Sequence, residues 1–429
     1  MALLVLYQCL YPFVALLALA RVAGAGRWGA FREGLADISE RLGRPAWKKS
    51  GTRNGPPLVW FHAASVGEVN ALSEFIRGTT GATVVVTCLT VAGREKARTL
   101  VGVTAAFLAP ADFYPCVASF LGRLRPDVLI CAESEVWPMT LVLARLRGLR
   151  IGLVNACLSE RSARRWSLAK PLSRMALAGV ERAAYQTQAD RERFEAIGVP
   201  ASAGKVCGNT KHDLKLPTPE AITAAKQRVT AVFKGAPCWI AGSTRPSEEE
   251  LVIAAHRNAA SKVQGLRLIL APRHPERTAE VAELLRKSGL SVVRWSELLP
   301  FTVEPDCLLI DVMGALGALY PAAGVAFVGG TMVAGTGGHN ILEPASLGVP
   351  VLFGRHTGAV EGEAAILLRR GGGRSVTDAA SLGEMVTLMM QSPHDAERIG
   401  SLAKEAAASF GGAGELARDW LACLLLEGS

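Results

Sequence analysis

Short apolar runs alternate with helix-like segments along most of the chain, and this alternation limits the possible folds more than any other feature. A βα series of this kind predicts a parallel sheet with helices on both faces. The segment Asp213–Pro219 contains two prolines and interrupts the series, as a linker between domains does. The predicted strands are Leu58–His62, Thr83–Cys88, Asp127–Ala132, Ile151–Asn155 and Ala183–Gln186 before the linker, and Cys238–Ala241, Leu266–Ala271, Ser291–Trp295, Cys307–Asp311, Val325–Val328 and Val349–Phe353 after it.

The domain organisation follows from this interruption and from the chain length. A chain of 429 residues is long enough for two domains that each bury a core. We expect a membrane-anchor helix over residues 1–24, an N-terminal Rossmann-like domain over 25–215 and a C-terminal one over 216–429. Helices are predicted at Trp137–Arg147 and Ser162–Ala178, among others. Ligands of such domains bind at the carboxyl ends of the strands, so we expect both domains to face a central cleft.

The composition agrees with an α/β class and disfavours a metal site. Hydrophobic residues make up 50% of the chain and aromatic residues 6%, so the apolar mass is mainly alanine, valine and leucine. This composition suits strands that are covered on both faces. The nine cysteines are scattered singly without a CxxC pair, which disfavours both a disulfide framework and a zinc site.

The N-terminal segment predicts a membrane anchor. Ala2–Ala20 carries no charge over 19 residues, and as a helix it would be about 30 Å long, close to the thickness of a bilayer core. Seven basic residues against three acids follow within residues 21–49, which favours a cytoplasmic location for the rest of the chain. A cleaved signal peptide is the alternative, but its positive leading region is missing. We expect location in the cell inner membrane with the catalytic domains on the cytoplasmic side, and the helix either spans the bilayer or lies in its interface.

Basic residues are concentrated between Arg145 and Arg182: the segment contains nine of them and only two acids, Glu160 and Glu181. With a net charge of +9, such a surface attracts acidic lipid headgroups, phosphorylated substrates or nucleic acid. A solvated helix face is the alternative. Nucleic acid is not expected as a partner, because no aromatic ladder or known binding module accompanies the charge.

The glycine-rich run Gly329–Asn340 is the strongest local candidate for a ligand loop. Neither a GxGxxG motif after a strand nor a Walker A motif is present, which disfavours a dehydrogenase and a P-loop enzyme. The run lies between the predicted strand Val325–Val328 and a helix that we expect to begin at Asn340. Glycines there let the backbone approach a ligand, and a helix N-terminus favours phosphate, although a plain glycine-rich turn has the same composition.

Seven segments, in order over both halves of the chain, resemble one family, the 3-deoxy-D-manno-octulosonic acid (Kdo) transferases. They are His62–Glu68, Glu133–Pro138, Asn155–Ser162, Gly208–Asp213, Ala241–Thr244, Ala271–Arg277 and Gly337–Pro344. The resemblance implies a GT-B fold and an inverting, metal-independent glycosyltransferase without a cofactor. It implies transfer of Kdo from CMP-Kdo to an anionic lipid A precursor in lipopolysaccharide synthesis. The alternatives are another GT-B transferase that uses a UDP-sugar, and an inactive protein that binds nucleotide sugars or anionic lipids.

The resemblance implies three catalytic residues in the first half. Glu68 matches the family's catalytic base, and Glu133 and Lys211 match residues that stabilise the transition state. Ser65-Val66-Gly67-Glu68 is also a capping box, so Glu68 can act as a helix cap instead. For Glu133 and Lys211 the alternative is a surface ion pair.

In the second half the resemblance implies a set of residues that contact CMP. They are Pro272, Arg273, Met313, Gly314, Ala315, Asn340, Ile341, Leu342 and Glu343. Arg273 can also be a loop cation, Glu343 can be a first-turn acid of its helix, and His339 can be a plain turn residue. The chain departs from the family at Cys157, where arginine is usual, at Ala315, where glutamate is usual, and at Arg355, where proline is common. The departure at Cys157 weakens the expected anion contacts on the acceptor side, and at Ala315 a carboxylate contact to CMP is missing although the backbone can still contact the nucleotide.

Overall fold

The computed structural model describes residues 3–13, 37–47, 55–213, 216–297, 304–335 and 337–426. The chain forms two compact units. The first comprises Met1–Asp213 and Gly411–Ser429, and the second comprises Leu214–Phe410. Each unit contains one seven-stranded parallel sheet with helices on both faces, as the βα series predicts.

The sheet of the first unit has the strand order β3-β2-β1-β4-β5-β6-β7, and every neighbouring pair is parallel. Strands β1, β2 and β4 are almost wholly buried, because their runs of Val, Ile, Leu and aromatic residues are covered on both faces. The seven strands are β1 Leu58–Ala63, β2 Thr83–Cys88, β3 Ala105–Leu108, β4 Val128–Ala132, β5 Arg150–Ala156, β6 Val180–Tyr185 and β7 Gly204–Val206.

Four helices of the first unit begin after a residue that the sequence marks as a cap. Ser65, Thr90, Ser159 and Thr187 each accept a hydrogen bond from the backbone N–H three residues on. The helices are α1 (residues 3–13), α2 Ile38–Arg41, α3 Val66–Gly78, α4 Val91–Arg98, α5 Tyr114–Leu124, α6 Pro138–Leu146, α7 Glu160–Leu168, α8 Lys170–Leu177 and α9 Gln188–Ile197.

The predicted helix Ser162–Ala178 is in fact two helices, α7 and α8. They meet at Ala169, which has a non-helical backbone (φ −109°, ψ 31°). The physical reason is Pro171, because its ring clashes with the preceding turn and its nitrogen donates no hydrogen bond. Proline is tolerated in the first turn of a helix, which is where α8 holds it.

The sheet of the second unit has the order β10-β11-β9-β8-β12-β13-β14, again with parallel pairs throughout. Its strands are β8 Cys238–Thr244, β9 Arg267–Pro272, β10 Val292–Arg294, β11 Cys307–Leu309, β12 Ala326–Val328, β13 Val351–Phe353 and β14 Gly373–Ser375. Its helices are α10 Pro219–Phe233, α11 Glu248–Ala260, α12 Thr278–Lys287, α13 Leu316–Leu319, α14 Leu342–Ser346, α15 Glu361–Arg370, α16 Ala379–Gln391 and α17 Pro393–Ala408.

The last helix, α18 (Ala413–Leu426), corrects the predicted domain boundary. The sequence predicts that residues 216–429 form the second domain, but Gly411–Ser429 belong to the first unit. Ala417, Leu421 and Leu424 are buried in the core under the sheet of that unit. Burial of this apolar face places α18 with the first sheet.

The predicted anchor over residues 1–24 is described only in part. Residues 3–13 form a helix, and residues 14–24 lie outside the described part of the chain. Among the residues that the structure describes, no helix has the length and apolar character needed to cross a membrane.

Candidate functional site

The strand order of the first sheet defines where a ligand site is expected. Successive strands run to one side from β1 to β3 and to the other side from β4 onward, so the order reverses between β1 and β4. Ligands of open α/β sheets bind outside the carboxyl ends of the strands at such a reversal. Glu68 lies in the first turn of the helix after β1, and Glu133 follows β4 directly. The two predicted carboxylates therefore lie on either side of this point.

The carboxylate of Glu68 completes the cap of α3. Its Oε2 accepts a hydrogen bond from the Ala64 N–H at 2.8 Å, and its Oε1 accepts one from the Ser65 hydroxyl at 3.2 Å. The Glu68 N–H donates in return to Ser65 Oγ at 3.5 Å. Thus the capping arrangement, which the sequence left as an alternative, is present in the structure. It leaves Glu68 partly exposed to solvent.

The surroundings of Glu68 raise the pKa of its carboxyl group. Burial is the main cause, and the charges of Glu135 and Glu133 act in the same direction, whereas the Ala64 and Ser65 hydrogen bonds act against it. A carboxylate with a raised pKa is a better proton acceptor than an ordinary surface glutamate. The site therefore has the electrostatics of a general base as well as the hydrogen bonds of a cap.

Glu133 and Lys211, which the sequence separates by 78 positions, meet in the structure. Lys211 Nζ lies 2.5 Å from Glu133 Oε1, and the side chains are 46% and 16% exposed respectively. Lys211 is held in a short 3₁₀ turn, Thr210–His212, in which its N–H donates to Asn209 Oδ1 at 3.0 Å. The three predicted catalytic residues are thus brought to one end of one sheet.

Asn155 joins the two segments that carry this ion pair, a role that the matched motif Asn155–Ser162 does not predict for it. Its Oδ1 accepts a hydrogen bond from the Thr210 N–H at 2.9 Å, and its amide donates to Glu133 Oε1 at 3.4 Å. Both Asn155 and Glu133 have left-handed backbone conformations, with φ values of 53° and 50°. Such conformations are costly for residues other than glycine and occur preferentially at functional sites.

A series of hydrogen-bonded, largely buried polar side chains lies beside the site, and the sequence did not predict these hydrogen bonds. His62 Nδ1 is hydrogen-bonded to Thr87 Oγ1 at 2.9 Å, and His62 Nε2 is hydrogen-bonded to Glu135 Oε2 at 3.2 Å. The Trp137 indole N–H donates to the same Glu135 oxygen at 2.8 Å. His62, Glu135 and Trp137 fall within the matched segments His62–Glu68 and Glu133–Pro138, so the motifs marked their segments but not their pairing.

Cys157 occupies the position where the family usually has arginine. Its Sγ lies 4.0 Å from Glu133 Oε2, and burial together with the Glu133 charge raises the pKa of the thiol to about 12. The thiol is therefore neutral at physiological pH. Positive charge beside Glu133 comes from Lys211 alone among the described contacts of that carboxylate.

In the second unit a cavity of about 320 Å³ gathers most of the predicted nucleotide contacts. Pro272 ends β9 and Arg273 follows it, Met313 and Gly314 follow β11, and Glu343 lies on α14; all five line this cavity. Its volume is at the lower end of the range for small-molecule sites. Burial raises the pKa of the Glu343 carboxyl group.

The remaining predicted contacts lie around the cavity rather than in its lining. Ala315 is partly buried in the apolar core beneath it, and Ile341 and Leu342 are buried in a neighbouring core cluster. The expected helix start at Asn340 is wrong, because α14 begins at Leu342 and has only five residues. Asn340 Oδ1 accepts from the Leu342 N–H at 3.0 Å, so its amide orders the turn before the helix.

No cluster of three or more metal-ligating side chains occurs within the described ranges.

The comparisons with known proteins bear directly on what this pair of sites does. The chain matches the family profile for 3-deoxy-D-manno-octulosonic-acid transferase (Kdo transferase) over residues 36–214. It is 32% identical to the 3-deoxy-D-manno-octulosonic acid transferase of Chlamydia muridarum, with 86% of this chain and 87% of that protein covered. The chain belongs to this family. The Bordetella pertussis relative is also 32% identical, with 94% of each chain covered.

Solved structures share the architecture of this Kdo transferase at low sequence identity. UDP-GlcNAc 2-epimerase from Neisseria meningitidis has a TM-score of 0.57 and 14% identity, and the match covers 85% of this chain and all of that one. A glycosyltransferase from Rickettsia africae has a TM-score of 0.54 and 12% identity over 88% of this chain. At such identities the likeness shows the fold alone, two α/β domains of the GT-B type.

For this Kdo transferase the predicted family, enzyme class and reaction are confirmed: the protein is a glycosyltransferase that transfers Kdo. The roles of individual residues stay predictions. The structure places Glu68, Glu133 and Lys211 together in the first unit, and Pro272, Arg273, Met313, Gly314 and Glu343 together in the second.

Proposed function

We propose that this protein transfers Kdo from CMP-Kdo to a lipid A precursor at the cytoplasmic face of the inner membrane, as a step of lipopolysaccharide synthesis. The observation that carries the choice of donor is the cavity of the second unit. Its lining combines the apolar side chains of Pro272 and Met313 with one arginine, Arg273, and one partly buried carboxylate, Glu343. A nucleoside monophosphate offers the matching groups: a flat base, ribose hydroxyls that donate to Glu343, and a phosphate for Arg273.

The chemistry that we assign to the first unit is a single displacement. An acceptor hydroxyl exchanges for the Ser65 hydroxyl at Glu68 Oε1, and Glu68 takes its proton as the new C–O bond forms at the anomeric carbon of Kdo. The bond to the CMP phosphate breaks with its electron pair, and CMP leaves. Direct attack inverts the anomeric centre. Glu133 balances the positive character of the sugar in the transition state, and the ion pair with Lys211 orients that carboxylate.

The N-terminal helix supports the proposed membrane location. On one side α1 is fastened to the first unit: the Tyr7 hydroxyl donates to Asp112 Oδ2 at 2.8 Å, and the Gln8 amide donates to the Asp112 carbonyl at 3.0 Å. On the other side it exposes apolar side chains, with exposed fractions of 45% to 67% for Leu3, Val5, Leu6, Leu10 and Phe13. A helix with its polar groups satisfied by protein and an apolar face open to the outside fits the membrane interface.

Basic side chains and exposed leucines lie on helices of the same unit. Leu146, at the end of α6, is 74% exposed and Leu168, at the end of α7, is 91% exposed. Helix α7 carries Arg161, Arg164 and Arg165, and none of its residues is fully buried. Such a surface favours anionic headgroups and an anionic lipid acceptor.

The donor and acceptor are tested together. Purified protein is incubated with CMP-Kdo and a tetraacylated lipid A precursor, and the lipid product is analysed by mass spectrometry. The proposal predicts Kdo-bearing lipid and CMP. Sugar transfer from a UDP donor instead of CMP-Kdo would support the UDP-sugar alternative, and binding without product would support an inactive binding protein.

The location is tested by fractionation. Protein expressed in a Gram-negative host is expected in the membrane fraction with Met1 or Ala2 at its N-terminus. A periplasmic form that begins near Gly26, after the small residues Ala23, Gly24 and Ala25, would show that the segment is a cleaved signal and would overturn the cytoplasmic orientation.

A further inference from the structure

The guanidinium group of Arg245 lies just after β8 and is held by two histidines. Its Nε donates to His339 Nε2 at 3.0 Å, and its Nη1 meets His274 Nε2 at 3.2 Å. Arg245 is partly buried and His274 is exposed. None of these three residues is among the cavity-lining residues, and the transfer reaction described above uses none of them.

His339 is a hydrogen-bond acceptor rather than a second cation. Burial, followed by the charges of Arg245, Arg273 and His274, lowers the pKa of His339 to about 4. The imidazole is therefore neutral at physiological pH, and its unprotonated Nε2 orients the guanidinium group without neutralising it. Gly330 lets this contact form, because a Cβ at that position would lie 2.8 Å from His339 Cδ2.

Two arginine charges act on His339, and the one carboxylate that meets a side chain of this cluster within the described part of the chain is Glu276, whose Oε1 lies 3.3 Å from His274 Nδ1. No carboxylate in the described part of the chain pairs with the side chain of Arg245 or with that of Arg273. The charges of both arginines lower the pKa of His339. Arginine pairs with carboxylate or phosphate through parallel N–H donors; the histidine contacts of Arg245 are made by Nε and Nη1 and orient the group, and no described partner occupies Nη2. The arrangement is that of a preformed anion site.

A buried carboxylate keeps the neighbouring loop in shape for this site. Glu248 is fully buried, and its two oxygens accept hydrogen bonds from the backbone N–H groups of Arg245, Gly330, Thr331 and Met332 at 2.7 to 3.0 Å. Since it ties the end of β8 to the loop after β12, it fixes the point at which the strand order of the second sheet reverses. Ligands of open α/β sheets bind at this point.

We propose that Arg245, positioned by His339, binds the carboxylate of the sugar acid in the donor, while Arg273 binds the phosphate. The inference rests on the proposed donor, CMP-Kdo, which carries those two anionic groups. Arg273 lines the cavity assigned to the nucleotide, whereas Arg245 lies outside that lining. In CMP-Kdo the phosphate is attached to the nucleoside, and the carboxylate belongs to the sugar beyond the phosphate. Arg273, in the nucleotide cavity, is therefore assigned to the phosphate, and Arg245, outside its lining, to the carboxylate.

The test compares ligands that differ by one anionic group. Cytidine, CMP and CMP-Kdo are titrated against wild type, Arg245→Gln, Arg245→Lys and His339→Ala, and the KM for CMP-Kdo is measured with the lipid acceptor. Arg370→Gln, at the exposed end of α15, is the matched control. Arg245→Gln is expected to bind CMP within about 2-fold of wild type and to raise the KM for CMP-Kdo on the order of 10- to 100-fold, as for loss of a charged hydrogen bond. Arg245→Lys should recover part of this loss, and His339→Ala should raise the KM less than Arg245→Gln does.

The outcomes separate this inference from the proposed function. If wild type uses CMP-Kdo and Arg245→Gln leaves the KM unchanged, the carboxylate assignment is wrong and the donor stands. If Arg245→Gln weakens CMP as much as CMP-Kdo while cytidine binding is unchanged, Arg245 binds the phosphate and the assignment is overturned. If wild type fails to use CMP-Kdo at all, the proposed donor itself is wrong. Unchanged CMP binding in Arg245→Gln also shows that the variant is folded.

Discussion

Lys211 Nζ and Glu133 Oε1 lie 2.5 Å apart, and their ion pair connects the end of β4 to the turn after β7. The side chain of Lys211 is 46% exposed, so solvent screens the pair and its contribution to the free energy of unfolding is small, under about 1 kcal/mol. An ion pair that adds little stability and lies between two strand ends is better explained by chemistry than by folding.

Lys211→Met is therefore expected to lower kcat far more than stability. Loss of a charge that acts in the transition state costs on the order of 10²-fold in kcat, while the Tm should change little. Steady-state kinetics and thermal unfolding check both. The control is Arg191→Met, which breaks the pair of Arg191 with Glu195 (2.7 Å) on α9 of the same unit and should leave kcat unchanged. Equal, small effects of both variants on kcat would show that Lys211 has no catalytic role.

Glu68→Gln separates the capping role of Glu68 from the catalytic one. The amide oxygen of glutamine can still accept the Ala64 N–H, so the free energy of unfolding should change by only a few tenths of a kcal/mol, about as for a surface substitution. An amide cannot take a proton from the acceptor, so turnover should fall on the order of 10²-fold or more. Ser65→Ala is the control: it removes the cap oxygen, costs about 1 kcal/mol and leaves the carboxylate in place. Near-normal turnover in Glu68→Gln would make Glu68 a cap and would move the search for the base to Glu133.

The pH profile should respond to Glu135, although it lies outside the proposed proton transfer. The charge of Glu135 is one of the causes that raise the pKa of Glu68. Glu135→Gln removes that charge, so the pKa of Glu68 falls and the base stays ionised to lower pH. The acidic limb of the kcat/KM profile is then expected to move to lower pH. Glu74→Gln, on the exposed face of α3, should leave the limb where it is. A limb that moves to higher pH, or equally in both variants, would contradict the predicted role of Glu68.

The sequence predicted the central strands well and missed the edges. The strands β3, β7 and β14, which were not predicted, have three or four residues and lie at three of the four edges of the two sheets. An edge strand is covered by one neighbour only, so it needs no long apolar run. Central strands are buried on both faces, and their runs of valine, leucine and isoleucine give a clear signal.

The candidate site was predictable where a motif carries it and unpredictable where distant residues meet. Glu68, Glu133 and Lys211 came from matched segments, but the hydrogen bond between Asn155 and the Thr210 N–H joins positions 55 apart. Glu248 likewise binds backbone groups 82 to 84 positions away. Such contacts depend on the completed fold, and neither periodicity nor local spacing reports them.

Nucleotide preference should appear as thermal stabilisation. A ligand that binds only the folded state raises the Tm, and CMP is expected to raise it more than UMP or UDP. Glu343→Ala should reduce the CMP-dependent shift, because this side chain lines the cavity. Glu361→Ala is the control, since Glu361 is also a first-turn acid but lies exposed on α15. Equal stabilisation by UDP would support the UDP-sugar alternative.

Asp213 closes the first unit by capping a helix from the far end of the chain. Its carboxylate accepts the N–H groups of Gly412, Ala413 and Gly414 at 2.8, 3.2 and 2.5 Å, at the start of α18. Asp213 belongs to the matched segment Gly208–Asp213, so its contacts give that position a structural function. Asp213→Ala leaves these donors without their partner and should cost about 1–3 kcal/mol in the free energy of unfolding.

The loss should be local to the capped helix. Hydrogen exchange is expected to accelerate over residues 413–426 in Asp213→Ala, and CMP binding should persist because the cavity lies in the other unit. Asp213→Asn keeps one acceptor oxygen and should retain part of the stability. Because α18 covers the first sheet with Leu421 and Leu424, its release should also lower kcat. Unchanged exchange over residues 413–426 in Asp213→Ala would show that the apolar face of α18, rather than its cap, holds the helix in place.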